Sequence, residues 1–266
     1  MNAIDLTVFD RTTSVTVDAR DPLVVHASLD DSWSSLRGVH GGYLTAIAVR
    51  AAESQLVDRV VRSVTTTFLR PAAIGPARLS IAPVREGRNL TTLAVTIEQE
   101  GTVASVRITA GKEEVGGASW EHTRFLDLYP IEACVPLYPP ATARHFEQAD
   151  ALLDPRGVPF SHGEVERLGG YVRPRERRPI DAAWLAMIAD WFPPCSFVVH
   201  DPPTGGVSVD YSVHIHATRG ALGPDEWLAA KFEAPVSRSG LALEHGIVVG
   251  PDGSALVESF HTRWTA

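Results

Sequence analysis

The sequence has few cysteines and no excess of positive charge, and each shortage excludes a class of protein. Only Cys134 and Cys195 occur among 266 residues, which is too few for a disulfide framework or a cysteine zinc site. The net charge is −8, whereas a nucleic-acid-binding chain usually carries a basic face. We therefore expect neither a disulfide-stapled fold nor a nucleic acid among the partners.

Long hydrophobic runs are also absent. No apolar run approaches the roughly 18 residues that a membrane-spanning helix needs. The first residues, MNAIDLTVFDRTTS, lack the basic and apolar regions of a signal peptide. These absences predict a cytoplasmic protein without a membrane span. Because 44% of the residues are hydrophobic, the chain can form one large core or two smaller ones.

Two common catalytic motifs are missing as well. The sequence has no glycine-rich P-loop and no GxSxG elbow, so neither nucleotide hydrolysis nor the α/β-hydrolase route is expected. His214 and His216 form an H-x-H pair that His200 could join, but no third ligand follows with a diagnostic spacing. We therefore predict an ordinary polar strand face there and no metal.

A helix followed by four strands occurs twice along the chain. Apolar residues recur at helical spacing from Tyr43 to Val57 and again over residues 181–192, with the first helix starting near Gly42. Strand-like segments follow each helix, and breakers such as Gly75-Pro76 and Gly223-Pro224 separate them. The predicted strands lie at 60–72, 77–86, 90–99, 102–112, 206–217, 226–236, 240–250 and 254–265. Two further short strands are expected over 13–28 and one near 164–174.

This internal repetition predicts the domain organisation. Each unit supplies one helix and enough strand to cover it, which is the hotdog arrangement. We therefore predict an α+β double hotdog, with two curved antiparallel sheets each wrapped around a central helix. The predicted boundaries are 1–112 for the N-terminal hotdog domain and 164–266 for the C-terminal one. The proline-rich segment 113–163 is interpreted as a connector with one short helix near 142–153.

Four segments resemble the acyl-CoA thioesterase family with tandem hotdog domains, of the bacterial thioesterase II type. They are RGVHGGYLTAIAVRAAE (37–53), MIADWFPP (187–194), SVDYSVHIH (208–216) and LVESFHTRW (256–264). The resemblance implies hydrolysis of an acyl-CoA to a free acid and CoA without a cofactor. It also implies homodimers or larger homo-oligomers that pair through sheet edges.

The resemblance also implies a set of catalytic residues. Asp190 occupies the family's aspartate position, Ser208 stands where the family has threonine, and His261 stands where it has glutamine. Because the sequence neighbours of Asp190 are apolar, we expect its pKa to be raised, which suits a general base for water. Ser208 and His261 would then orient the water or the carbonyl. Asp181 is a rival acid whose position is typical of a helix N-cap.

The paired glycines Gly41 and Gly42, with His40 beside them, stand where the first helix begins. Unpaired N–H groups and the positive end of the helix dipole can stabilise the oxyanion that forms when water attacks a thioester. Glycine would let the thioester approach; alternatively, the pair only permits a tight turn. The sequence leaves open which of the two helix starts faces Asp190.

Other functions stay open at this point. A non-catalytic binder of acyl-CoA or another acyl ligand is favoured by His261 in place of the glutamine. An enoyl-CoA hydratase would need a D-x-x-x-x-H segment at a helix start, and none is present. An assembly protein that uses its sheet back to back is a third alternative. The arginine-rich run 173–178 is interpreted either as a patch for CoA phosphates or as a solvated loop.

Overall fold

The computed structural model describes residues 6–112, 120, 126–138, 140–199, 206–216 and 221–265. Its α-helices are α1 (Val8–Thr12), α2 (Gly41–Glu53), α3 (Ala182–Ile188) and α4 (Ser196–Val199), with 3-10 helices at Asp31–Trp33, Ile131–Ala133 and Arg144–Gln148. The strands of the first half are β1 (Thr16–Val17), β2 (Val24–Leu29), β3 (Ser34–Ser35), β4 (Gly38–Val39), β5 (Val60–Phe68), β6 (Gly75–Glu86), β7 (Leu90–Glu98) and β8 (Thr102–Gly111). The remaining strands are β9 (Val135–Pro136), β10 (Ala149–Leu153), β11 (Arg167–Pro174), β12 (Arg178–Pro179), β13 (Val207–Ile215), β14 (Ala221–Leu222), β15 (Leu228–Arg238), β16 (Leu241–Val249) and β17 (Ala255–Trp264).

Thirteen strands form one antiparallel sheet in the order β1-β2-β6-β7-β8-β5-β13-β17-β16-β15-β11-β10-β9. The prediction of two separate sheets therefore needs correction, because the two halves join where β5 pairs with β13, with Thr65 opposite Ser212. Pairing the two strands satisfies backbone groups that two exposed edges would leave open. The duplicated order of helix and four strands agrees with the predicted strand segments.

Helix α2 confirms the helix predicted to start near Gly42, although it ends at Glu53 and not at Val57. It is buried on almost every side. Its residues from Gly42 to Val49 are all buried, as are Ala51 and Ala52. A helix that is apolar all round is typical of a protein core, and its alanines let the surrounding strands approach closely. Among the residues that the structure describes, no helix combines the length and apolar character that a bilayer crossing requires.

Helix α3 ends earlier than its apolar period predicted. Asp181 is its N-cap, as expected, and its carboxylate accepts the Trp184 N–H at 2.8 Å. The helix stops at Ile188, and the Asp190 N–H instead bonds the Met187 carbonyl at 3.1 Å in a turn. The prolines that follow cannot donate the hydrogen bonds of a further turn. Asp190 therefore lies just beyond the helix and not within its last turn.

The segment predicted as a connector takes part in the sheet. Its short helix is a 3-10 helix at Arg144–Gln148, and β10 follows directly and pairs with both β11 and β9. Ala149 and Leu153 of β10 are buried in the same core cluster as both central helices. The domain boundaries themselves stay a prediction.

Ion pairs fix the relative direction of α2 and α3. Arg50, near the end of α2, lies 2.8 Å from the carboxylate of Asp181 at the start of α3, and the buried Arg178 contacts the same carboxylate at 3.1 Å. At the opposite end, the backbone of Met187 lies against Gly42. The two helices are therefore antiparallel, and the start of α2 meets the end of α3.

Replacing Gly170 tests how closely β10 packs on β11. A Cβ at Gly170 would lie 2.0 Å from the Leu152 carbonyl oxygen at a φ of +149°. We expect Gly170→Ala to lower the free energy of unfolding by about 3 kcal/mol or more, since backbone strain and overpacking act together. Gly75→Ala is the matched control, because φ is +119° but nothing lies within 4 Å. Equal shifts of the urea midpoint for the two variants would contradict the close packing of β10.

Candidate active site

Asp190 is the centre of a buried polar cluster. Its side chain is 3% exposed. Oδ2 accepts the Gly42 N–H at 2.7 Å, while Oδ1 lies 3.2 Å from both His261 Nδ1 and Arg263 Nη2. Both carboxylate oxygens therefore already have partners, and these come from α2 and from the last strand.

The start of α2 is the helix start that faces Asp190. A Cβ at Gly42 would lie 2.8 Å from the Met187 carbonyl oxygen and 3.0 Å from Asp190 Cβ. One at Gly41 would lie 2.9 Å from the Phe68 ring. The glycines are therefore required by close approach and not only by the turn into the helix. The positive end of the helix dipole also stabilises the negative charge of Asp190.

His40 is the N-cap of α2, and both of its ring nitrogens have partners. Nδ1 accepts the Tyr43 N–H at 3.3 Å, and Nε2 lies 3.0 Å from the backbone carbonyl oxygen of Asp190. Because an N–H can only donate and a carbonyl can only accept, this geometry fixes the neutral tautomer with hydrogen on Nε2. Burial lowers the pKa of His40 by more than the charge of Asp190 raises it. The ring stacks on that of His145 at 4.3 Å between centroids.

His261 contacts Asp190 through one nitrogen only. It lies on β17, opposite Tyr211 of β13 and Glu244 of β16, and its side chain is 2% exposed. Because the carboxylate of Asp190 accepts, His261 Nδ1 carries the hydrogen. His261 Nε2 is buried and has no hydrogen-bond partner within the described part of the chain.

Arg263 and Glu244 complete the cluster, and sequence reasoning missed both. Arg263 Nη2 bridges Asp190 Oδ1 at 3.2 Å and Glu244 Oε1 at 2.9 Å, and Glu244 Oε2 accepts the Cys195 N–H at 2.8 Å. Strand alternation could have placed Arg263 on the face of His261, two residues earlier. The pairing with Glu244 depends on the register between β16 and β17, which a single sequence does not reveal.

The expected raised pKa of Asp190 is wrong. Burial alone does raise it, but His261 and His40 when protonated, the hydrogen bond from His261 and the permanent charge of Arg263 together hold the pKa well below its ordinary value. Burial also raises the pKa of Glu244, but the charge of Arg263, a protonated His261 and the hydrogen bonds from the Cys195 N–H and from Arg263 together lower it. The apolar sequence neighbours of Asp190 predicted the wrong direction for its pKa, because the fold brings Arg263 from a distant strand to its carboxylate. At neutral pH Asp190 is therefore a fixed negative charge.

Simple alternation would place Ser208 on the same face of β13 as Asp210 and Ser212, but the structure places it on the opposite face. The register shifts between Ser208 and Asp210, which inserts one extra residue and leaves Ser208 opposite Arg263. The bulge puts Ser208 on the same face as Arg263 and Tyr211. The side chain is half-buried, and no contact recorded among the described residues joins it to Asp190.

The histidine pair and the arginine run do not take part in this cluster. His214 and His216 are exposed, and His200 lies outside the described residues. Across the described ranges, no group of three or more His, Cys, Asp or Glu residues could hold a metal ion. In the run 173–178, Arg173 and Arg175 form ion pairs with Asp150.

Two family models match the chain over most of its length. Residues 29–111 match the acyl-CoA thioesterase N-terminal domain, and residues 123–264 match the acyl-CoA thioesterase C-terminal domain. No curated protein sequence matches the chain significantly.

Solved structures establish a hotdog fold. A conserved protein of unknown function with hot dog fold from Alicyclobacillus acidocaldarius has a TM-score of 0.86 at 23% identity, covering 98% of both chains. The acyl-CoA thioesterase II TesB2 of Mycobacterium marinum has a TM-score of 0.77 at 18% identity, covering 97% of this chain and 98% of that one. The tesB protein of Mycobacterium avium subs paratuberculosis has a TM-score of 0.74 at 18% identity with the same coverage.

Removing the Arg263 charge tests the electrostatics of the cluster. We expect Arg263→Met to lower the free energy of unfolding by about 3–5 kcal/mol at pH 7, because two buried carboxylates lose their shared cation. In the unchanged protein both carboxyls have a depressed pKa, so their stabilisation is present at neutral pH and is lost only in acid. In Arg263→Met, burial would raise the pKa of both Asp190 and Glu244. The loss of unfolding free energy relative to the unchanged protein should therefore be smaller at pH 5 than at pH 7.

The control is Arg78→Met, which removes a more exposed pair with Glu98. Its effect should stay below about 1 kcal/mol at either pH. Urea denaturation at both pH values measures all three proteins. If Arg263→Met loses the same unfolding free energy at pH 7 and at pH 5, the two carboxylates are not the cause of that loss.

Proposed function

Because the chain belongs to the acyl-CoA thioesterase family, we propose that it hydrolyses the thioester of an acyl-CoA to a free acid and CoA. One observation carries the proposal: the buried carboxylate of Asp190 meets the start of α2 beside a histidine whose Nε2 has no partner among the described residues. Thioester hydrolysis needs a group that activates water and a donor for the oxyanion, and both kinds of group lie at this junction.

Asp190 assists the attack of water as a buried, fixed negative charge. Its bonds to the Gly42 N–H and to Arg263 hold the carboxylate where the two halves of the chain meet. A negative charge at that point stabilises positive charge that develops next to it when water gives up a proton. Ser208, which lies opposite Arg263 after the bulge, is assigned a role in orienting the water or the carbonyl.

The helix start supplies the donor for the oxyanion. The Gly42 N–H already bonds Asp190, so it serves to place the carboxylate. We assign the Gly41 N–H, one residue nearer the start of α2, to the thioester carbonyl oxygen. The helix dipole favours negative charge at this N–H. The ring of Phe68 lies over Gly41 and would form an apolar wall of the approach.

A cavity that extends along α3, from Trp33 and Met187 near the site to the charged residues Arg175, Glu176 and Arg178 toward the other end of the helix pair, is assigned to the acyl group. Its volume is about 230 Å³, and Phe9, Trp33, Trp184 and Met187 contribute to its lining. Trp33 and Met187 also border the site, since the Trp33 carbonyl accepts the His40 N–H at 2.9 Å and Met187 packs on Gly42. Aromatic and thioether side chains are typical of pockets for apolar ligands.

We base the assignment of two hotdog units and their boundaries on the same family. We assign the two family domains to two hotdog units with α2 and α3 as their central helices, over 1–112 and 164–266, with 113–163 between them. Pairing of such chains into homodimers or larger homo-oligomers through sheet edges is part of the proposal, as is a cytoplasmic location.

Release of CoA thiol from acyl-CoAs of graded chain length tests the activity. We expect turnover by the unchanged protein and a loss of at least about 100-fold in Asp190→Asn, because the fixed charge beside the attacking water is removed. Circular dichroism and thermal unfolding check that the variant is folded.

The matched control is Asp210→Asn, which keeps the acceptor oxygen for Thr262 on the neighbouring strand. It should retain full turnover. If the unchanged protein binds acyl-CoA and releases no thiol, the chain is a binding protein and the hydrolase proposal is wrong. An equal loss in both variants would remove Asp190 from its assigned role.

A further inference from the structure

The partnerless nitrogen of His261 is the most unusual polar atom of the site. Buried polar side-chain atoms nearly always have a hydrogen-bond partner, and an exception needs an explanation. His261 Nε2 is buried without one, although Asp190, Arg263 and Glu244 around it are all paired. The hydrogen bond from His261 Nδ1 to Asp190 turns the lone pair of the neutral ring onto Nε2.

The other groups at the site are poorly suited to accept a proton. Both oxygens of Asp190 are engaged, and its pKa lies below the ordinary carboxyl value, which makes it a weak base. The lone pair of His40 is on Nδ1 and already accepts the Tyr43 N–H. Among these three groups, only His261 presents a lone pair without a partner.

We propose that His261 Nε2 takes the proton of the attacking water and that Asp190 acts through it as a positioning residue. The inference rests on the proposed thioesterase function and names the group that does the proton transfer. A glutamine, which the resembling family has at this position, carries no basic nitrogen. The chain would therefore activate water by a different group from a glutamine-bearing relative.

The proposed hydrolysis proceeds through attack of water and then collapse of a tetrahedral intermediate. Water oxygen forms a bond to the thioester carbon while its proton moves to His261 Nε2, and the carbonyl electron pair moves to the oxygen facing the start of α2. When the tetrahedral intermediate collapses, the carbon–sulfur bond breaks and the Nε2 proton moves to the leaving thiolate. The products are the free acid and CoA thiol, with His261 neutral again.

Every element packed against His261 contributes a charged, titratable or aromatic group. Asp190 comes from the turn after α3, Glu244 from β16, Arg263 from β17, and His40 from the start of α2. The ring of Tyr211 on β13 lies 4.9 Å away between centroids. The two carboxylates stabilise the imidazolium that forms during the reaction, and Arg263 offsets part of their charge.

The test compares pH profiles of kcat/KM from pH 5 to 9 for the unchanged protein, His261→Gln and His214→Gln. Activity of the unchanged protein should rise with pH and then level off, because only the neutral ring of His261 accepts a proton. His261→Gln should lower kcat by about 10²–10⁴-fold and lose the rise. His214→Gln, a change to an exposed histidine on the outer face of β13, should keep both rate and profile.

A second measurement does not depend on turnover. Nitrogen-15 NMR of the histidine rings should show neutral His261 with hydrogen on Nδ1 and a bare Nε2, and Asp190→Asn should weaken that preference. Hydrogen on Nε2 in the neutral ring would overturn the proposal. The proposal would also be overturned if kcat of His261→Gln stayed within about threefold of the unchanged protein with the same pH profile, because general-base catalysis contributes far more than threefold to the rate. If the unchanged protein hydrolyses no acyl-CoA, the thioesterase function itself fails, which is a distinguishable result.

Discussion

The hydrogen bond from the Gly42 N–H to Asp190 joins residues 148 positions apart, and the rest of the site depends on it. It requires the start of α2 to lie against the end of α3, and it tolerates no side chain on Gly42. Once the carboxylate is held there, its second oxygen is left to His261 and Arg263. The bond therefore converts the packing of two helices into a defined arrangement of charges.

Charge balance explains how so many ionisable groups stay buried together. Two carboxylates, Asp190 and Glu244, share one guanidinium, and the histidines and backbone N–H groups satisfy the remaining lone pairs. Buried ions are tolerated only when paired and hydrogen-bonded in this way. The same pairing that stabilises Asp190 as an anion makes it a poor proton acceptor, so the proposed hydrolysis requires a further group for that task.

The sequence predicted most helices and strands because their signals are local. Apolar spacing located α2, and the breakers between strands located β5 to β8, β13 and β15 to β17. Features that depend on distant partners were not accessible: the pKa direction of Asp190 depends on Arg263, and the face of Ser208 depends on a bulge in the register with β17. The joining of the two sheets through β5 and β13 is another property of tertiary pairing. A single sequence carries the period of a strand but not its alignment with a neighbour.

The antiparallel contact of α2 and α3 has two ends, and they are not equivalent. A symmetric pair of identical hotdog units would place the same polar cluster at each end. Here the second end is occupied by Arg50 and Arg178, whose charges are balanced by Asp10 and by Asp181 at the N-cap of α3. Among the described residues the Asp190 cluster therefore occurs once and not twice along the helix pair, which predicts one site for each chain.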